Sequence, residues 1–200
     1  MGPLDGSNAS RLFGLRDDAT RDLAAQAGAV AKACHAIAVR FHRGGKLIVF
    51  GTGSSSTDAQ HVAVEFVHPV IVGKRALPAI SLTADVATIT GIAARQGVDA
   101  IFSHQIRCLA VPADIALGLS AGRGDASVLA GLREAKAKGL LTIALTGQDV
   151  TGIEADHILT AASGDPRVAK EVQVTTYHIL WELVHVFFEQ PGVLAPGVIS

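Results

Sequence analysis

The stretch from Lys46 to Glu65, KLIVFGTGSSSTDAQHVAVE, restricts the fold more than any other part of the chain. Leu47, Ile48, Val49 and Phe50 run without an intervening polar residue, the pattern of a strand buried on both faces. Gly51, Thr52, Gly53, Ser54, Ser55, Ser56 and Thr57 follow, and then a helical pattern begins. Glycines let the backbone bend tightly. The first turn of a helix leaves backbone N–H groups without intrahelical partners, and its positive end favours an anion. We therefore read Thr52, Gly53, Ser54 and Ser55 as a phosphate cradle.

The rest of the chain repeats strand and helix. From Asp17 to His42 the apolar positions Leu23, Ala27, Val30, Cys34, Ile37 and Phe41 form a helical stripe, closed by Gly44 and Gly45. Short apolar runs at 77–82, 115–119, 140–145 and 157–161 read as further strands. Helices are expected at 86–94, 100–110, 126–138 and 166–189, the last opened by an Asp165-Pro166 pair suited to N-cap and N1. Such alternation predicts an α/β, three-layer αβα sandwich around a five-stranded parallel sheet, with long N- and C-terminal helices. Ligands of such folds bind at the carboxyl ends of the strands, where the Gly/Ser turns fall.

At 200 residues, with 49% hydrophobic and 18% charged side chains, the chain can bury the core of one domain, expected over residues 17–200. Residues 1–16 are expected to be disordered, because the start is rich in Gly, Ser and Asn. A formal net charge of -1 supplies no electrostatic footprint for nucleic acid or an anionic membrane. Neither a secretory leader nor an apolar span of membrane length is present, so the expected location is the cytoplasm. Cys34 and Cys108 lie in apolar helical patterns without metal-binding spacing and read as buried thiols.

His61 and Glu65 stand at i and i+4 on one helix face behind the cradle. They admit two readings, a solvent-facing polar pair or a catalytic and metal-ligating pair. His178, among Val172, Thr175, Tyr177, Ile179 and Leu180, is by default a buried, hydrogen-bonded histidine. The alternative is a proton shuttle or a metal ligand. In the second Gly/Ser turn, Ser120, Gly122, Arg123 and Gly124 can hold an anion, with Arg123 supplying charge. Asp125 sits where a helix N-cap belongs and is read as structural.

Together GTGSSSTDAQHVAVE, GLSAGRGDAS, LTIALTG and KEVQVTTYHIL resemble the SIS-domain sugar-phosphate isomerases, specifically the phosphoheptose isomerases, over roughly residues 20 to 190. The resemblance implies a flavodoxin-like, doubly wound SIS domain acting on a phosphorylated sugar, sedoheptulose 7-phosphate, through an enediol. It implies Glu65 as the catalytic carboxylate, His178 as its acid/base partner, and one zinc ion held by His61, Glu65 and His178. It also implies a homotetramer, with Thr52, Gly53, Ser54, Ser55, Ser120, Arg123 and Glu171 toward the substrate. Three departures stand out. Ser120 alone keeps a hydroxyl in the second phosphate loop, an Asn-Asp pair is replaced by Ala94 and Arg95, and a ligating glutamine by Lys170. These leave a second expectation open, a non-catalytic sugar-phosphate sensor or assembly partner.

Overall fold

The computed structural model describes residues 6–121, 124–148, 151–190, 192 and 194. Five strands, β1 (Leu47–Gly51), β2 (Ala79–Ser81), β3 (Ile115–Ser120), β4 (Leu141–Gly147) and β5 (His157–Ala161), form one sheet. The order is β2-β1-β3-β4-β5 and every pairing is parallel. Seven α-helices are described: α1 (Ser7–Ala25), α2 (Ala27–His42), α3 (Ser54–Val67), α4 (Val86–Gln96), α5 (Ile101–Leu109), α6 (Ala126–Ala137) and α7 (Pro166–Glu189).

The continuous apolar strands serve two cores. Successive side chains point to opposite faces, so Leu47, Val49, Ile115, Leu117, Ile143 and Leu145 pack with α2, α3 and α7. Ile48, Phe50, Ala116 and Ala144 pack with α5 and α6 on the other face. Gly131 of α6 lets that helix settle onto the ring of Phe50, since a Cβ there would lie 2.7 Å from the Phe50 Cε2 atom. The chain leaves β1 for β2 on one side and returns to β3 on the other. That reversal opens a crevice at the carboxyl ends of β1 and β3.

Aspartates cap three helices. Asp85 accepts from Thr88 N at 3.0 Å, Asp125 from Ser127 N at 2.9 Å and Asp165 from Arg167 N at 2.9 Å. Hydrogen bonds from the Arg167 side chain and backbone hold the Asp165 carboxyl down at about 2. Burial opposes ionisation of Asp125, but hydrogen bonds from Ser127 and Thr52 outweigh it and keep that carboxyl below its usual value. Depressed carboxyl values stabilise the fold above the unfolded pKa, near 4, and that contribution fades as pH falls through the folded values.

Three local expectations change. The leading helix begins at Ser7 rather than Asp17, so residues 7–16 are helical; residues 1–5 lie outside the described residues. The single helix expected to run to His42 breaks at Gln26. Cys34 is buried, its thiol pushed up to about 12 by desolvation, whereas Cys108 is exposed because the last turn of α5, residues 107–109, stands clear of the core.

The break at Gln26 has a physical counterpart in the sheet. Its side-chain amide donates to Thr160 O at 2.8 Å and accepts from Thr160 N at 3.1 Å, as a neighbouring strand would. β5 is an edge strand, and the amide covers ladder groups that edges otherwise leave open. Gln26→Ala should therefore lower stability by about 1–3 kcal/mol, two hydrogen bonds of ordinary net value. The shift in urea midpoint at unchanged slope checks it.

Candidate functional site

The helix that follows β1 starts without a side-chain cap. Among the described residues no side chain accepts from the first N–H groups of α3, in contrast to the aspartates at α4, α6 and α7; Ser55 N and Ser56 N turn back to the carbonyl oxygens of Thr52 and Gly53, at 2.9 and 3.1 Å. Its N-cap position is Gly53 at φ +54°, ψ -125°, a region that L side chains rarely enter. Ser56 and Thr57 donate back to Gly53 O and Ser54 O, each at 2.7 Å. Ser54 and Ser55 stand at the positive helix end itself. Thr52 does something else: its hydroxyl donates to Asp125, tying the first loop to the start of α6. Asp125 is thus the structural cap that the sequence indicated.

Gly51 decides how near this turn can come to the sheet. A Cβ on Gly51 would lie 2.8 Å from Ser55 Cβ and 2.9 Å from the carbonyl oxygen of Leu119 on β3. Only glycine lets α3 begin there.

About one, two and three turns along α3 stand Asp58, His61 and Glu65, and opposite them on α7 stand Lys170, Tyr177, His178 and Trp181. Lys170 donates to the Asp58 carboxylate and, at 2.9 Å, to Ser54 O. Tyr177 Oη lies 2.9 Å from His61 Nδ1, and Trp181 Nε1 donates to Glu65 O at 2.8 Å. His61 Nε2 is 3.2 Å from Glu65 Oε1. The ligand atoms of His61, Glu65 and His178 all lie within 4.8 Å of one another. The His61 and His178 rings meet edge-on, 5.1 Å between centroids.

Two imidazoles and a carboxylate at that spacing form a donor set suited to zinc, with room for a further ligand. The Glu65 side chain is 12% exposed and that of His61 41%, so the cluster opens to solvent from one side. Burial, with the Asp58 and Glu65 charges adding, holds the Tyr177 phenol above its ordinary pKa.

Other expected residues lie elsewhere or do other work. Glu171 is not brought to the cluster: Arg16 of α1 holds its carboxylate with two hydrogen bonds, at 2.6 and 2.8 Å. Ser120 ends β3 and its carbonyl accepts from Gln173 Nε2 at 3.1 Å. Gln173 Oε1 is buried with no partner among the described residues, an acceptor still to be met. Arg123 and Gly122 lie outside the described residues. Ala94 and Arg95 are at the end of α4. Asp58 and Tyr177 were not signalled by the sequence, because only the pairing of α3 with α7 gives them partners.

Residues 16–147 match the SIS domain family. A phosphoheptose isomerase of Solidesulfovibrio magneticus is 37% identical over 166 residues, covering 82% of this chain and 81% of that protein. One of Synechocystis sp. is 38% identical over 159 residues, covering 78% and 82%. The structure of a phosphoheptose isomerase from Francisella tularensis superposes with a TM-score of 0.81 at 30% identity, over 92% of this chain and 98% of that one. The chain belongs to the SIS-domain phosphoheptose isomerase family. In this chain the GTGSS turn leads into the start of α3 that no side chain caps, and His61, Glu65 and His178 form the convergent cluster.

At this turn, Gly51→Ala should preserve helix content while displacing the start of α3, since neither atom it would meet is the end of a flexible side chain. We expect a stability loss of about 1–3 kcal/mol from overpacking. Affinity for a phosphate ester should fall about tenfold or more, equivalent to about 1.4 kcal/mol. Calorimetric titration checks this, and an unchanged affinity would separate the turn from phosphate binding.

Proposed function

We propose that the chain is a phosphoheptose isomerase that interconverts sedoheptulose 7-phosphate and the corresponding aldose through an enediol. The observation that carries this reading is the convergence of Glu65, His61 and His178 beside a helix start that no side chain caps. The phosphate would lie on the first turn of α3, against Gly53, Ser54 and Ser55. The Lys170 ammonium at Ser54 O adds positive charge there, part of it balanced by Asp58.

Glu65 is the base. Its carboxylate takes the C1 proton of the open-chain ketose, the C1–H electron pair forms the C1–C2 double bond, and the C2 oxygen gains a proton. Return of a proton at C2 and loss of the O1 proton give the aldose. His178 moves protons between the two oxygens, a task suited to an imidazole, whose ring nitrogens can donate and accept a proton. His61, Glu65 and His178 would hold a zinc ion, which when bound polarises the carbonyl as a Lewis acid. The unmet acceptor of Gln173 suits a sugar hydroxyl. Lys170, engaged by Asp58, is not a ligand, since an ammonium has no lone pair.

Glu65→Gln keeps size and shape but loses the base, so turnover should fall by a factor of about 100 to 10,000. The test incubates metal-loaded wild type and variant with seven-, six- and five-carbon ketose phosphates in deuterated water and reads deuterium at the carbon beside the carbonyl. Exchange with the seven-carbon ester, lost in Glu65→Gln, supports the reading. Exchange with none of them favours a sugar-phosphate sensor, the reading to which Arg95, Lys170 and the single hydroxyl of Ser120 would belong.

The same proposal includes a homotetramer of cytoplasmic chains. Its support is an apolar groove of about 200 Å³ between α1, α2 and α7, lined by Leu23, Ala27, Val30, Ile179 and Leu183. Phe13, earlier on α1, is a large apolar side chain left exposed. No described helix is long and apolar enough to cross a membrane. Light scattering should give four times the 20.6 kDa chain mass; a stable monomer at micromolar concentration would count against it.

A further inference from the structure

We propose that Tyr177 is a positioning residue for the metal cluster: its hydroxyl fixes the His61 ring with Nε2 toward Glu65 and serves as partner to Nδ1 whether or not Nε2 is ligated. The inference rests on the metal reading above and adds to it a residue outside the three ligands.

His61 sits on an open side of the cluster, its side chain 41% exposed, and a histidine ring turns over a broad, roughly two-fold range about its last side-chain bond. Tyr177 is 2% exposed and packed in the core of α7. Its hydroxyl lies 2.9 Å from His61 Nδ1, and the two rings meet edge-on at 79°. Asp58, the acidic neighbour one turn before His61, is bound by Lys170 and does not draw the phenol away. With Nδ1 engaged, Nε2 is the nitrogen left to face Glu65, at 3.2 Å.

A neutral imidazole carries one N–H. Without a cation, the Glu65 carboxylate can only accept, so the proton sits on Nε2, and Nδ1 accepts from the phenol. With a cation on Nε2, the ring stays neutral by carrying its proton on Nδ1, which then donates to the phenol oxygen. A hydroxyl both donates and accepts, so one ring position serves both states. A phenylalanine would serve neither. Partners of this kind fix tautomer and orientation, and their loss usually costs about 10–100-fold in metal affinity.

The test uses the full chain and zinc alone, in competition with a chromophoric chelator. Tyr177→Phe should weaken zinc by about 10–100-fold. Val184→Ala, a fully buried position on the same helix, should lower stability and leave zinc affinity unchanged. Ring ¹⁵N spectra of His61, assigned by their loss in His61→Asn, supply a second readout. Wild type should show the Nε2–H tautomer without metal. With zinc it should show an Nδ1–H whose proton exchanges slowly, and zinc-loaded Tyr177→Phe should lose that protection.

Equal zinc affinity in wild type and Tyr177→Phe overturns the role of Tyr177 and leaves the metal reading standing. So does an equal loss in Val184→Ala, which would assign the effect to general stability. If wild type takes no zinc while it still binds the phosphate ester, the metal reading itself fails and the role of Tyr177 falls with it.

Discussion

The register between α3 and α7 is the constraint on which the candidate site depends. The two helices follow different strands, β1 and β5, yet lie on the same face of the sheet and run in the same direction. Asp58 meets Lys170, His61 meets Tyr177, and the Glu65 carbonyl meets Trp181, in ascending order along both helices. Apolar packing by Val172, Leu180 and Val184 holds α7 to the sheet but is non-directional. Hydrogen bonds are directional. A slip of one helical turn, about 5.4 Å, would cost all three contacts and carry His178 away from His61 and Glu65.

Charge is distributed along this pairing with some economy. Asp58, with its side chain 8% exposed, is compensated by Lys170 at 30%. An unpaired carboxylate at that depth would cost more than the pair contributes. The pair also explains how a lysine is accommodated where the resemblance implies a glutamine. Its ammonium is turned to the start of α3 and not to the His61–Glu65–His178 cluster. Glu171, its neighbour in sequence, faces away and is held by Arg16, so α1 joins the same helix from the outside.

The elements were legible in the sequence because each is set by short-range chemistry. Apolar runs mark the strands, 3.6-residue stripes mark the helices, and Asp125 and Asp165 mark helix starts. His61 and Glu65 were legible as a pair because i, i+4 spacing alone puts them together. What pairs across helices was not. Tyr177 looked like part of an apolar stripe, and nothing local to Gln26 shows that its amide would find Thr160, 134 positions away. Thr52 has a hydroxyl in a phosphate-type turn, and only the tertiary fold reveals that Asp125 takes it. The helical start at Ser7 was hidden for a related reason. Its Gly/Ser/Asn composition argues against order, and the packing of Ala19 and Leu23 that anchors α1 lies farther along the chain.

The bare start of α3 sets a limit on what it can recognise. Backbone N–H groups and a helix dipole respond to negative oxygens, and they carry no information about the carbon skeleton to which those oxygens are attached. On the proposed reading, inorganic phosphate and any small phosphate ester would therefore be intrinsic competitors for this turn. Discrimination among sugars has to arise farther into the crevice, where chain length and hydroxyl stereochemistry can be sensed. In physiological terms the occupancy of such a pocket would then follow the phosphate status of its surroundings as well as the supply of any one sugar.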